Sequence, residues 1–433
     1  MQYSDKKIGK EISALSRYYD SFTQVTPLTH DDLNIFEIID CKEKRVFKYL
    51  NELPKVSPGS REIYFLNGNF NHDTDIQSLL EKLKPSMSPE SRVFALAYNP
   101  YIKPLYMMAK ALGFRTAPVP NTFITEDDIR SICSVAGFEL VRLRPCIYMP
   151  YYIPWISNLI NFLMPMIPLV RKTSLISLLV LRPKVSREDL PSVSIIVPAR
   201  NEKGNIEDAV TRMPDFGGAQ RELIYVEGHS SDGTWEEIQR VQVAHGSKFK
   251  IHSYQQTGKG KSDAVRLGFE KATNELMFIL DADLTMPPEM MTRFYEAYRN
   301  GHGDFLNGSR LIYPMESKAM KPLNFIGNKF FAKFLSFTLD NYISDSLCGT
   351  KVFTKRDYLR MIKWREDFGD FDPFGDFELL FPAAQLGFKI TDIPIKYKNR
   401  VYGETQISRF THGFMLLRMT LIGLFKIKAG FRG

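Results

Sequence analysis

The sequence predicts an α/β protein of two domains, the second built on a mostly parallel sheet and the first a smaller, incomplete α/β unit. Three observations carry this. A chain of 433 residues exceeds what one hydrophobic core usually organises. The polar segment Arg182–Pro191, RPKVSREDLP, separates the apolar runs SLISLLVL and VSIIV. Beyond it, strand-like runs at Val193–Val197, Leu223–Val226 and Leu276–Leu280 alternate with helical patterns at Asn205–Met213, Trp235–Val243 and Ser262–Ala272. The expected partition is 1–182 for the first domain, 183–190 for a linker, 191–405 for the main domain and 406–433 for a basic amphipathic helix.

In the first domain Glu62–Leu66 and Arg92–Ala97 read as strands around a helix at Ile76–Leu83, and a second helix follows at Ile102–Leu112. The stretch between Arg144 and Arg171 is uncharged for long enough to cross a bilayer. Pro145, Pro150, Pro154, Pro165 and Pro168 interrupt it, and Asn158 and Asn161 sit inside it. A strand followed by a short apolar helix is therefore expected, in place of a spanning helix.

Composition is that of a folded protein, with 44% apolar and 24% charged residues. Cys41, Cys133, Cys146 and Cys348 form no CxxC pair, which argues against a zinc ribbon and a disulfide framework and for a reducing compartment. The start, MQYSDKKIGKEIS, lacks the apolar core of a secretory signal. Of the +8 formal charge, residues 389–433 hold a net +7. Basic residues among apolar ones there suit a membrane surface or lipid phosphate better than a nucleic acid, for which no motif is present.

The chemistry is expected at strand ends, where parallel sheets collect ligands. The run ELMFILDADLTMPPE delivers Asp281-Ala282-Asp283 as a strand stops, and two carboxylates so spaced can share Mg2+ or Mn2+ and so neutralise a diphosphate. Alone, the pair also fits a solvated turn. VSIIV runs into Pro198-Ala199-Arg200-Asn201-Glu202, a loop for a base and ribose or simply a helix start. The next strand ends in Glu227 and, after GHSS, Asp232-Gly233, which equally fits an Asx-type turn. Gly258-Lys259-Gly260-Lys261 precedes a helix, where lysines such as Lys261 can meet phosphate, but it lacks the spacing of an ATPase loop. Asp376 and Glu378 have the spacing that shares one side of an extended strand. His229, His245 and His412 lack metal-ligand spacing.

In order, IIVPARNEKGNI, YVEGHSSDGT, GKGKSDAVRLG, LDADLTMPPE, NGSRL, DSLCGTKVF, FGDFELL and RVYGETQIS resemble the inverting family 2 glycosyltransferases of the GT-A fold, especially dolichyl- and polyprenyl-phosphate sugar synthases. The resemblance implies a Rossmann-like domain, a hexosyltransferase activity and a nucleotide-sugar donor. It implies donor contacts from Pro198, Arg200, Asn201, Glu202, Glu227, Asp232, Lys261, Asp281, Ala282 and Asp283, with Asp281 and Asp283 on the metal. Arg310, Arg400, Thr405 and Arg409 are then directed to acceptor or donor phosphates, for which guanidinium forks are suited. Asp283, Arg310 and Asp376 are the catalytic candidates. Glu227 stands where the family often has Asp, Thr285 where it often has Gln, and Gln406 where Lys is common.

A lipid phosphate is the expected acceptor, already ionised and needing no base. The aromatic and cationic segment Lys321–Leu339 and the tail from Ser408 suit peripheral attachment to the cytoplasmic face of a membrane, or alternatively core packing. If the acceptor were a saccharide hydroxyl, Asp376 is the candidate base. A catalytically silent membrane-associated scaffold is the remaining alternative.

Residues of roughly 60–182, through REIYFLNGNFNHDTDIQSLLEKLKPSMSPESRVFALAYN and PNTFITEDDIRSICSVAGFELVRL, resemble the latter part of a class I methyltransferase. No early strand or glycine-rich loop for S-adenosylmethionine is read in Met1–Ser60, which is short for the missing βα units. A truncated scaffold is expected there, without that cofactor.

Overall fold

The computed structural model describes residues 2–54, 59–114, 118–314, 322–368, 375–402 and 409–428. It divides into two compact units: Met1–Val185 with Gln385–Gly387 and Leu424–Gly433, and Ser186–Ala384 with Phe388–Gly423.

Unit 1 holds a six-stranded sheet of β1 (Ser21–Val25), β2 (Glu43–Phe47), β3 (Glu62–Leu66), β4 (Arg92–Tyr98), β5 (Phe138–Ile147) and β6 (Ile176–Pro183). Their order is β2-β1-β3-β4-β6-β5, the first four parallel and the last two joined antiparallel. The expected strands and the helix Ile76–Leu83 are present. One expectation is corrected: residues before Ser60 do contain strands, β1 and β2. The first, SFTQV, is buried throughout but half polar, and the second, EKRVF, is an exposed edge, so neither carries an apolar periodicity that sequence reading detects. Arg144–Arg171 forms the end of β5, then a short helix, Ile156–Leu163. No helix among the described residues is long and apolar enough to cross a membrane.

Unit 2 holds β7 (Val193–Ala199), β8 (Arg221–Glu227), β9 (Lys250–Gln255), β10 (Leu276–Ile279), β11 (Phe305–Ser309), β12 (Lys351–Thr354) and β13 (Ile390–Pro394), in the order β13-β11-β12-β10-β7-β8-β9. β12 alone runs antiparallel to its neighbours. Both faces of β7 are covered: Ile195 and Val197 join one core, and Ile196 on the other face is also fully buried. This double burial is why VSIIV reads as an unbroken apolar run. The helix Lys261–Lys271 lies so close over β7 that a side chain at Gly268 would strike Ile196.

From β7 the chain winds outward through β8 to β9, then returns to place β10 on the other side of β7. The carboxyl ends of β7 and β10 thus flank a topological switch point, the crevice in which such sheets bind ligands.

Candidate active site

At the end of β7, Asn201 turns the backbone left-handed (φ 56°), a conformation Asn tolerates. The loops after β7 and β8 are then zipped together. Asn201 N–H donates to Ser230 Oγ (2.9 Å), Ser231 N–H to Asn201 Oδ1 (2.9 Å), Glu202 N–H to Thr234 Oγ1 (3.0 Å) and Lys203 N–H to Asp232 Oδ2 (3.2 Å). Asp232 also accepts from Thr234 N–H (3.0 Å), so the Asx-type turn expected as the bland reading is present. Burial pushes its pKa up, but the Thr234 hydroxyl and the two backbone donors outweigh this and hold it below the ordinary carboxylate value. Glu227 is buried and accepts from Ser230 N–H (2.5 Å). Pro198 is half-buried in β7, and Arg200 is exposed just beyond it.

At the end of β10, Asp281 pairs with Lys261, and burial of that carboxylate is outweighed by the lysine, which keeps its pKa low. Ala282 is a buried spacer. Asp283 Oδ1 accepts from Thr285 N–H (3.1 Å) and Oγ1 (2.8 Å), so Thr285 steadies the second acid of the pair. Its Oδ2 accepts from Arg400 Nη2 at 2.6 Å, and Arg400 Nη1 reaches Glu202 Oε1 at 3.0 Å. Arg400 therefore bridges the ends of β7 and β10. Glu202 is 7% exposed, and its pKa is pushed up to about 7 by burial, against the pull of Arg400 and the Asn205 side chain.

The segment after β13 carries Arg400 into place: Lys398 N–H donates to Thr285 O (2.9 Å), and Tyr402 OH donates to Asp232 Oδ2 (3.1 Å). Tyr402 lies against Gly204, where any Cβ would collide with its ring. Arg310, at the end of β11, makes a bidentate pair with fully buried Asp345 (Nε–Oδ2 2.7 Å, Nη2–Oδ1 2.8 Å) and lies over the Tyr397 ring.

One expectation is corrected here. Asp376 and Glu378 open a helix, Asp376–Gln385, and do not share one side of a strand. Residues two apart on a helix diverge. Asp376 pairs with buried Lys351 at 3.1 Å, while Glu378 takes Arg266 at 2.7 Å and also Arg365. Asp376, Lys261 and Gly349 line a common cleft beside the β10 end. Thr405 lies outside the described residues, and so does the side chain of Arg409, whose backbone begins the helix Arg409–Gly423.

Asp345, Lys351 and Tyr402 went unassigned in the sequence, although each lies within a quoted motif, DSLCGTKVF or RVYGET. Their roles are ion pairs and hydrogen bonds to assigned residues, which sequence spacing does not encode.

Asp281 and Asp283 suit a hard divalent cation. Magnesium commonly takes one or two carboxylates and completes its shell with water and substrate phosphates. Among the described residues no group of three or more His, Cys, Asp or Glu is gathered as a candidate metal site.

Acids and cations are thus gathered at the switch point of a mostly parallel sheet, the place where such sheets bind ligands. Residues 194–362 match the family described as Glycosyl transferase family 2. The chain is 36% identical over 122 residues to a dolichol-phosphate mannosyltransferase of Pyrococcus furiosus, a match spanning 28% of this chain and 33% of that protein. It is 27% identical over 221 residues to a dolichyl-phosphate hexose transferase of Haloferax volcanii, spanning 51% of this chain and 89% of that one. The chain thus spans about a third of the first relative's length and most of the second's. Among solved structures, glucosyl-3-phosphoglycerate synthase of Mycobacterium tuberculosis, in complex with Mn2+, UDP and glucosyl-3-phosphoglycerate, is similar with a TM-score of 0.39 and 15% identity, covering 56% of this chain and 81% of that one.

Proposed function

We propose that the protein is a metal-dependent, inverting hexosyltransferase that moves one sugar from a nucleotide-sugar donor to a polyprenyl or dolichyl phosphate at a membrane surface. The observation that carries this reading is the bridge from Arg400 to Asp283 and Glu202, which puts a guanidinium fork beside the paired acids of β10. A reaction between a diphosphate leaving group and a phosphate nucleophile needs that mixture, because both partners are anionic. Similarity to dolichol-phosphate mannosyltransferase and dolichyl-phosphate hexose transferase supports the acceptor class.

Asp281 and Asp283 would hold Mg2+ or Mn2+, which when bound offsets the charge of the departing diphosphate. Asn201, Glu202, Glu227 and Asp232, with Pro198 and Arg200, form the nucleotide side, and Lys261 offers a cation to the diphosphate. Arg400 and Arg310 orient the acceptor phosphate, aided by Thr405 and Arg409. Its oxygen then attacks the anomeric carbon as the bond to the nucleoside diphosphate breaks, and one displacement inverts the centre. No proton need be removed from an ionised phosphate. Asp376 accordingly orients the reacting groups, as its ion pair with Lys351 favours.

Helices Pro322–Leu339 and Arg409–Gly423 pack on one another, burying Leu335, Leu339, Leu416 and Met419 while Leu323, Ile326, Phe330 and Phe414 remain exposed. These outer residues support peripheral membrane attachment. Unit 1 is read as a methyltransferase-like scaffold.

The test incubates the protein and its Asp283→Ala variant with nucleotide sugars, Mg2+ or Mn2+, and short polyprenyl phosphates, with products read by mass spectrometry. A metal-dependent lipid-linked sugar absent with the variant is expected. Nucleotide release without a lipid product would overturn the acceptor assignment.

A further inference from the structure

Unit 1 exposes an apolar face that the transferase reading leaves unused. The helix Lys103–Ala111 buries only Tyr106, although Leu105, Met107 and Met108 are exposed on the same helix. A helix that packs by one apolar stripe should present mainly polar residues outward, whereas this one exposes Leu105, Met107 and Met108 beside Lys103 and Lys110. In the segment before and after the helix Ile156–Leu163, Trp155 is 89% exposed and Leu169 84% exposed. Trp155 also holds a left-handed backbone (φ 65°), which a bulky residue adopts only where its surroundings impose it. The fold thus projects an indole into solvent in a strained conformation and gains no burial from it.

The two segments form one surface. At one end Asn99 Nδ2 donates to Lys172 O (2.7 Å) and Ser174 O (2.8 Å). At the other, Tyr151 OH donates to Phe114 O (2.5 Å). The stretch from Asn99 to Phe114 is therefore tied at both ends to the stretch from Tyr151 to Ser174.

Charge decides the partner. No Asp or Glu occurs between Glu90 and Glu126 or between Glu139 and Glu188, whereas Lys103, Lys110, Arg171 and Lys172 fall within these stretches. Exposed Tyr101, Tyr151 and Trp155 add rings with an apolar body and a polar handle. Apolar residues, such rings and the cations Lys103, Lys110, Arg171 and Lys172 suit a bilayer interface containing anionic lipid. We propose that this face of unit 1, centred on Trp155 and the helix Lys103–Ala111, docks into the headgroup layer of an anionic membrane without crossing it. The inference extends the reading of a lipid-borne acceptor, and its test separates the two.

The full chain is mixed with vesicles of phosphatidylcholine alone or with about a third phosphatidylglycerol, and binding is read by co-sedimentation. The chain has three tryptophans, and Trp364 is buried. Bilayer insertion should therefore shift emission to the blue and allow quenching by brominated lipid, with the effect lost in Trp155→Phe. The Trp155→Ser/Leu159→Ser/Leu169→Ser variant should bind anionic vesicles at least roughly tenfold more weakly, as lost apolar burial requires. Lys103→Glu/Lys110→Glu should weaken binding to anionic vesicles and leave neutral ones unaffected. Both variants should melt as the parent does and keep transfer to a short, water-soluble polyprenyl phosphate. Parental vesicle binding by the folded triple variant would overturn the proposal. So would a dimer of the parent that the triple variant abolishes, since the face would then belong to a second copy. Failure of the parent to glycosylate any lipid phosphate, with Trp155-dependent vesicle binding intact, would sink the acceptor reading alone.

Discussion

Arg400 donates to Asp283 Oδ2 at 2.6 Å and, through its other terminal nitrogen, to Glu202 Oε1 at 3.0 Å. One guanidinium thereby ties together two carboxyl groups that come from strand ends far apart in the chain. Arg400→Gln leaves these acids facing each other and removes a fork from the phosphate region. Transfer should fall by about a hundredfold or more, the scale of losing a charged group that stabilises developing negative charge. Steady-state kinetics with a saturating metal checks this, and kcat/KM within threefold of the parent would remove Arg400 from the reacting centre.

Glu202 gives a pH signature. Its pKa of about 7 lies above the ordinary 4.5 because burial disfavours the charged form. Between those values the folded chain holds a proton that the unfolded chain has lost, so this residue's contribution to stability declines as pH rises through the window. The full span corresponds to roughly 3 kcal/mol as an upper figure. Glu202→Gln cannot titrate. Its stability relative to the parent should rise from pH 4.5 to pH 7.5, and thermal melts that keep a constant difference across that range would contradict the assignment.

Asp345 and Arg310 are a buried pair, and removing one partner strands the other. Asp345→Ala should destabilise unit 2 by about 3–5 kcal/mol, whereas replacing both by apolar residues should cost much less. Denaturant melts of the two single variants and the double variant test this. Additive losses would show that the pair is not coupled. Activity lost in Arg310 variants must accordingly be measured on protein shown to be folded.

Asp376 discriminates between acceptors. With a phosphate acceptor, Asp376→Asn should lower kcat by less than about tenfold. A hydroxyl acceptor needing a base would lose roughly a hundredfold or more, with the pH profile of kcat flattened on its acid side. The large loss together with the flattened profile would reject the phosphate reading.

The sequence revealed those parts of the molecule in which hydrophobic periodicity and strand-end chemistry coincide. β7, β8 and β10 are buried on both faces and end in polar loops, so both the sheet and the acids at its switch point were readable. β1 and β2 were not, because one is buried yet half polar and the other is an exposed edge of charged residues. The spacing of Asp376 and Glu378 would share one side of a strand but not of a helix, and it does not report the local backbone, which is helical. Arg400 was recognised as a phosphate-directed residue, but its grip on Asp283 and Glu202 depends on a return of the chain across more than a hundred residues, which no local pattern reports.

Gly349 tests how tightly the paired acids are held. It lies between β10 and the cleft beside Asp376, and a Cβ there would strike both Asp281 and the Lys261 ammonium. Those atoms end flexible side chains, so Gly349→Ala should fold, with the collision relieved by separating Lys261 from Asp281. Lys261 would then lose the ion pair that, against the cost of desolvation, raises its pKa. Donor affinity should weaken by about tenfold, the equivalent of losing one charge-assisted hydrogen bond. The melting temperature should change little. Isothermal titration with a nucleoside diphosphate and Mn2+ measures the first quantity and calorimetry the second. Unchanged affinity in the folded variant would show that the Lys261–Asp281 pair lies outside the donor's reach.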